Sequence, residues 1–279
     1  MKQRIISGGV GICILIVLLC FYKTMILNIS MSFISAIAVY ELLLATGYVK
    51  NKLLASVCLF FSILVAFFNR YFTAKFVLLT FVILVFILLI VMLIDYKTVK
   101  IEHIGLMFFI SVVIPSAFSM LICIRDKFEN TPQVAMFYIL LALGSAWVAD
   151  SGAYFIGVFF GKTKLAPNIS PKKTVEGLIG GLISSVIFGI VLSLVFSNLF
   201  YNFGISLHIN FFRLLLVVPI ASLIGVLGDL SASVIKRQCL IKDFGGIMPG
   251  HGGVLDRFDS VLFTIPFYYL IALFFSLVE

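Results

Sequence analysis

The sequence predicts an all-α polytopic integral membrane protein with about nine transmembrane helices, and two observations lead there. Of its 279 residues, 62% are hydrophobic and 11% charged, with a mean hydropathy of +1.23, which is far outside the range of globular chains. The apolar residues also fall into runs of membrane length joined by short basic connections, and about 20 apolar residues suffice for one helical crossing. No stretch is long and polar enough for a soluble domain.

In chain order, the crossings are expected at Ile5 to Phe21, Met25 to Ala45, Leu53 to Phe68, Phe76 to Ile94, Ile104 to Ile124, Val134 to Phe160, Val175 to Phe200, Phe211 to Ile235 and Val254 to Val278. The first follows a basic start and lacks a clean small-residue cleavage site, so it is read as a retained helix. It lies close enough to the second for the two to form one hairpin-like unit. Residues 1–131, with about five crossings, are nearly featureless hydrocarbon, whereas residues 132–279 hold the intramembrane carboxylates and glycine clusters and form the region where chemistry is expected. The five cysteines show no CxxC spacing and read as small hydrophobes.

Charge orients the array, because Lys and Arg are retained preferentially on the cytoplasmic side. With nine crossings, fourteen of the twenty basic residues fall on one face. The other face has six: Lys23, Arg70, Lys75, Arg125, Lys127 and Arg213. The amino terminus and the charged loop near the carboxyl end are thereby placed in the cytoplasm.

Three constellations carry polar chemistry. Asp150 interrupts an otherwise apolar or small run, LALGSAWVADSGAYFIGVFFG, and a carboxylate there must face protein, water or a cation. A helix-helix hydrogen bond or ion pair would account for it as well. The connection FGKTKLAPNISPKKTVEGLIGG, residues 160–181, has four lysines. Ser170 is expected to cap a helix with Pro171 at its first position, setting Lys172 and Lys173 beside amide groups suited to phosphate. Ordinary cytoplasmic anchoring by lysine is the plainer reading. Gly177 and Gly181 form a GxxxG pair, a helix-packing surface within or between subunits, as in a homodimer.

The third constellation, residues 228–260, opens with GDLSASVIKR, in which Asp229, Ser233 and Lys236 share one helical stripe at i, i+4 and i+7. After Arg237, Lys242 and Asp243 comes PGHGG, residues 249–253, too rich in glycine for a helix interior. A new helix is then expected over Val254 to Ser260, with Asp256 and Asp259 at i and i+3 and Arg257 beside them. Asp229 and Asp256 thus arrive at one membrane face from adjacent helices. Divalent cations such as Mg²⁺ take one or two carboxylates plus phosphate oxygens and water, and the surrounding cations suit a polyanionic substrate. Such a set describes phosphoryl or nucleotidyl transfer. A solvated loop with ion pairs is the bland alternative, and His251 alone is more often a hydrogen-bonded loop residue than a base.

These residues resemble the phosphatidate cytidylyltransferases, also called CDP-diacylglycerol synthases. The family signature, Ser, two residues, Lys-Arg, four residues, Lys-Asp, then PGHGG, an Asp-Arg and a final Asp, is met by Ser233, Lys236, Arg237, Lys242, Asp243, His251, Gly252, Gly253, Asp256, Arg257 and Asp259. The likeness extends to Gly228 and Asp229, to SPKKTVEG from Ser170, and to the segment around Asp150. Ala232 departs from it, at a position where members often carry an acid.

The resemblance implies condensation of CTP with phosphatidic acid to CDP-diacylglycerol and pyrophosphate, a step of phospholipid biosynthesis. It implies that Asp229 and Asp256 hold Mg²⁺, with a second cation as an option, and that Lys236, Arg237, Lys242, Asp243, His251 and Arg257 serve catalysis around them. Asp150, Ser170, Lys172, Lys173, Ser233, Gly252, Gly253 and Asp259 are expected to bind substrate. The partners expected are CTP, phosphatidic acid and membrane lipid, with no nucleic acid. The expected location is a bacterial inner membrane, with the site at the cytoplasmic ends of the carboxyl-terminal helices. Two rivals are a transporter or channel using Asp150 and Asp229 as ion or proton sites, and a related membrane nucleotidyltransferase acting on another lipid acceptor or a kinase of a polyprenol.

Overall fold

The computed structural model describes residues 2–68, 74–205, 207–248, 250 and 252–278. Pro249, His251 and Arg70 therefore lie outside the described residues. The helices are α1 (Lys2–Cys20), α2 (Met25–Ala45), α3 (Lys52–Val65), α4 (Ala74–Ile94), α5 (Ile101–Lys127), α6 (Pro132–Phe160), α7 (Val175–Tyr201), α8 (Phe211–Gln238), α9 (Leu255–Phe258) and α10 (Val261–Phe274). Helices predominate because each satisfies its backbone groups internally, as hydrocarbon requires. Among the described residues, six segments are long and apolar enough to cross a membrane: α2, Phe76–Ile94 of α4, α5, α6, α7 and α8. The apolar helices α3 and α10 are shorter.

About nine crossings are expected from the sequence, against these six among the described residues, and the pattern also differs in two places, each with a local cause. The connection after α6 is a β-hairpin, β1 (Lys164–Ala166) antiparallel to β2 (Ser170–Thr174). Ser170, Pro171, Lys172 and Lys173 therefore lie in a strand, and Ser170 caps no helix. Thr174 does so instead: its hydroxyl oxygen accepts the Gly177 N–H at 3.1 Å. Glu176 reaches back to the Lys162 and Thr163 amides at 3.0 and 3.1 Å, closing the hairpin onto the start of α7.

The second difference is the last crossing, which is not continuous. α9 ends after four residues at Phe258, so Asp259 and Ser260 form a turn before α10. The Asp259 carboxylate accepts the Ser260 N–H at 2.8 Å, a local side-chain bond that competes with helix continuation.

By packing, the chain forms two compact units, residues 1–126 with 239–257, and residues 127–238 with 258–279. In the first, Leu42, Leu43, Leu54, Leu88, Met107 and Phe118 build the core. Polar clasps add direction: Asn28 donates to the Ala66 carbonyl at 2.8 Å and Ser32 to that of Ile63 at 3.1 Å. Arg125 is 5% exposed and donates to Asn28 Oδ1 and to the Thr24 carbonyl, while pairing with Asp126 at 2.7 Å. It is an internal lock between α5 and the start of α2.

In the second unit, α6 and α7 meet through small residues. A Cβ on Gly177 would come within 2.7 Å of the Ala153 carbonyl, and one on Gly181 within 2.7 Å of that of Ala149. The GxxxG pair thus packs on α6, where close approach replaces the missing hydrophobic drive between helices in lipid. Ser222 donates to Ser185 at 2.6 Å between α8 and α7, and Thr264 to the Ala142 carbonyl at 2.8 Å between α10 and α6.

Candidate functional site

The carboxyl-terminal unit gathers acids and bases from four segments. Asp229 stands on α8 with Ser233 one turn on, its hydroxyl 3.5 Å from Asp229 Oδ1, as the i, i+4 spacing requires. Lys173 of the hairpin pairs with Asp229 at 2.5 Å. Arg237, at the end of α8, is exposed and donates from Nε to the Ile169 carbonyl at 3.3 Å, which ties the hairpin to the same helix. Asp150, on α6, accepts the Ser260 hydroxyl at 2.8 Å. That bond is the helix-to-segment contact the sequence left open for Asp150, and it sets this acid beside the Asp259 turn.

Depth follows from helix geometry. Asp150 is ten residues before the end of α6 and Asp229 nine before the end of α8, about 15 and 14 Å at the usual helical rise. These acids stand well inside their helices, approached along the hairpin side.

Asp259 completes the cluster. A Cβ on Gly228 would lie 2.5 Å from the Asp259 carbonyl, so a glycine there lets the turn close on α8. Asp229, Lys236 and Asp150 all lie within electrostatic reach of the Asp259 carboxyl, so three carboxyls face two ammoniums, Lys173 and Lys236. Asp259→Asn, which retains an acceptor for Ser260 and removes one of the crowded charges, is expected to raise the unfolding midpoint of chelator-treated protein by a few degrees. A lowered midpoint would refute the crowding of charge.

The donor set fits a hard cation. Among the described residues no three His, Cys, Asp or Glu side chains form a ready protein cage, and Mg²⁺ characteristically takes one or two carboxylates and leaves other positions to water and phosphate.

The remaining signature residues belong to the amino-terminal unit. Asp256 Oδ2 accepts the amides of Phe244 and Gly253 at 2.8 and 3.0 Å, folding the glycine loop around one oxygen. Met248 N–H donates to the Gly252 carbonyl at 3.0 Å, and Gly250 and Gly252 adopt φ of 77° and 84°, a region where a side chain is disfavoured. Lys242, Asp243 and Arg257 are exposed, as is Lys172 in the other unit, while Ser170 is half-buried in its strand.

Two participants were not singled out from the sequence. Ser260, 1% exposed, follows the final signature Asp directly, and that adjacency was its only signal. Glu41, also 1% exposed, accepts the amides of Val254 and Leu255 at 2.9 and 2.8 Å. It is a lone charge within an apolar helix, the same signal that marked Asp150. A cavity of about 490 Å³ beside Tyr48, Lys50, Lys52, Asp95 and His103 holds none of the signature residues.

Comparison with known proteins supplies the family. A Bacillus subtilis protein named phosphatidate cytidylyltransferase is 40% identical over 179 residues, 64% of this chain and 62% of its own length. Proteins of the same name from Staphylococcus epidermidis and Staphylococcus aureus are 41% and 40% identical over 139 residues, half of this chain and half of theirs. The chain therefore spans between half and 62% of the length of these curated relatives. Residues 2–275 match the model of the cytidylyltransferase family, and the chain belongs to that family.

Proposed function

We propose that this protein condenses CTP with phosphatidic acid, releasing pyrophosphate and forming CDP-diacylglycerol, at a bacterial inner membrane with its site open to the cytoplasm. The observation that carries this reading is the Lys173–Asp229 pair. It sets a phosphate-type cation from the hairpin against a metal-type carboxylate of α8, beside Asp259 and Asp150. The names of the relatives support this choice of substrates, and the excess of Lys and Arg in one set of connections supports the orientation.

A lipid phosphate oxygen attacks the α-phosphorus of CTP, a new P–O bond forms, and the bond to the β-phosphate's bridging oxygen breaks. Phosphate is ionised near neutral pH, so positioning and charge neutralisation dominate over general base catalysis. Asp229 and Asp256 are the residues to which a Mg²⁺ role is assigned, with Asp259 supporting Asp229. When bound, Mg²⁺ supplies neutralisation of the CTP phosphates and of the leaving pyrophosphate. Lys173 and Lys236 hold phosphate oxygens, and substrate phosphate would take over the ammonium that Lys173 now lends to Asp229. Ser233 and the hairpin shape the approach, and Asp150 with Ser260 fixes the turn that carries Asp259.

Purified protein in vesicles, given CTP and a panel of lipid phosphates, is expected to release pyrophosphate with phosphatidic acid and Mg²⁺ together and with neither alone. Ion flux without turnover would replace the reading with a transporter, and release with another lipid acceptor only would replace the substrate.

A further inference from the structure

We propose that Glu41 is a positioning residue for the glycine loop, the carboxylate that fixes where Asp256 and Arg257 stand; the inference rests on the reading of that loop as catalytic. Glu41 lies within α2, among leucines, and is almost wholly buried. A carboxylate in such surroundings is tolerated only when its charge is met. Here it is met by two consecutive backbone amides, Val254 and Leu255, at 2.9 and 2.8 Å. Those amides open α9, and the first amides of a helix have no partner within it. Hydrogen bonds to an ionised acceptor are also the stronger kind.

The glycines of the loop are shaped around this side chain. A Cβ at Gly245 or at Gly253 would come within 2.5 Å of a Glu41 carboxylate oxygen, so both positions are walls of its cradle. The next acid along, Asp256, takes the preceding amide, that of Gly253, and ties it to Phe244. Three successive amides are thus divided between two carboxylates, one brought by the loop itself and one from a helix 213 positions away in the chain. Asp256 organises the loop internally, and Glu41 fastens it to the helices of its own unit. Arg257, whose amide returns to the Val254 carbonyl at 3.0 Å, is set by the same fastening.

The test uses Glu41→Gln in the full-length protein, in vesicles. The variant keeps the shape of the side chain but replaces one acceptor oxygen with an amide group that cannot accept. Two readouts are followed: kcat and KM for CTP, and hydrogen exchange at the amides of residues 252–257, which reports local opening. Expected are a fall in kcat of about 10- to 100-fold, the range for groups that orient a catalytic shell, a KM within about twofold, and faster exchange confined to the loop. Gly253→Ala, which pushes on the same carboxylate, should give the same pattern and serves if the first variant does not fold. Unchanged kcat with unchanged loop exchange overturns the proposal. So does acceleration spread equally over α2 and α3, which marks a role in general stability only. Lack of CTP turnover in the parent protein would refute the enzymatic reading, while the exchange result would still decide whether Glu41 fastens the loop.

Discussion

Asp229→Asn is expected to lower the rate of cytidylyl transfer by about 100-fold or more, the scale on which a group that stabilises developing charge is felt. The substitution removes one negative charge and leaves the size of the side chain unchanged. In the parent protein this carboxylate pairs with Lys173 and lies beside Asp259, and in the proposed function its charge would serve both a phosphate-binding lysine and a cation. Losing it also relieves Asp259 of a repelling neighbour. Lys173 loses its counter-charge at the same time, so the two effects oppose and the unfolding midpoint should move by only a few degrees while turnover collapses. Rates of pyrophosphate release and thermal unfolding in detergent, measured on one preparation, check both halves. Loss of both together would mark Asp229 as structural.

Asp256→Asn should produce a loss of similar size by a separable route. Its Oδ2 gathers the amides of Phe244 and Gly253, and an asparagine oxygen can accept the same two. The loop should keep its shape, with hydrogen exchange at those two amides changed by less than about tenfold, while the charge assigned to the metal is gone. Near-normal turnover would remove Asp256 from the mechanism. Fast exchange with lost turnover would show that the carboxylate acts by folding the loop.

The two variants rest on different kinds of legibility. Asp229, Ser233 and Lys236 could be placed from the sequence because helical spacing alone puts them on one stripe, and α8 is continuous through Gln238. Asp150 stood out because a carboxylate in hydrocarbon demands a partner, though the partner, Ser260, comes from 110 positions away and no local pattern names it. Glu41 makes the same demand within α2, but no other charged group stands in that helix to mark a site. What it serves is a pair of backbone amides, and those have no residue-type signal. The hairpin is not legible in the sequence, because Ser-Pro reads as a helix start, whereas Thr174 and the reach of Glu176 to two amides set the start of α7 four residues later. The break at Asp259 was hidden by the length of an apolar run, since run length reports what lipid tolerates and not where a turn is pinned by its own side chain.

The central claim is nucleotidyl transfer to a lipid phosphate, and the fate of each phosphorus of CTP tests it most directly. Protein in phosphatidic acid vesicles with Mg²⁺ would receive CTP radiolabelled at either the α- or the γ-phosphorus, and the lipid and aqueous phases would be counted separately. The account predicts that α-label enters the lipid in step with the pyrophosphate formed and that γ-label stays wholly in the aqueous pyrophosphate. Lipid carrying γ-label would show a kinase, and label confined to water in both cases would show hydrolysis; either result contradicts the account.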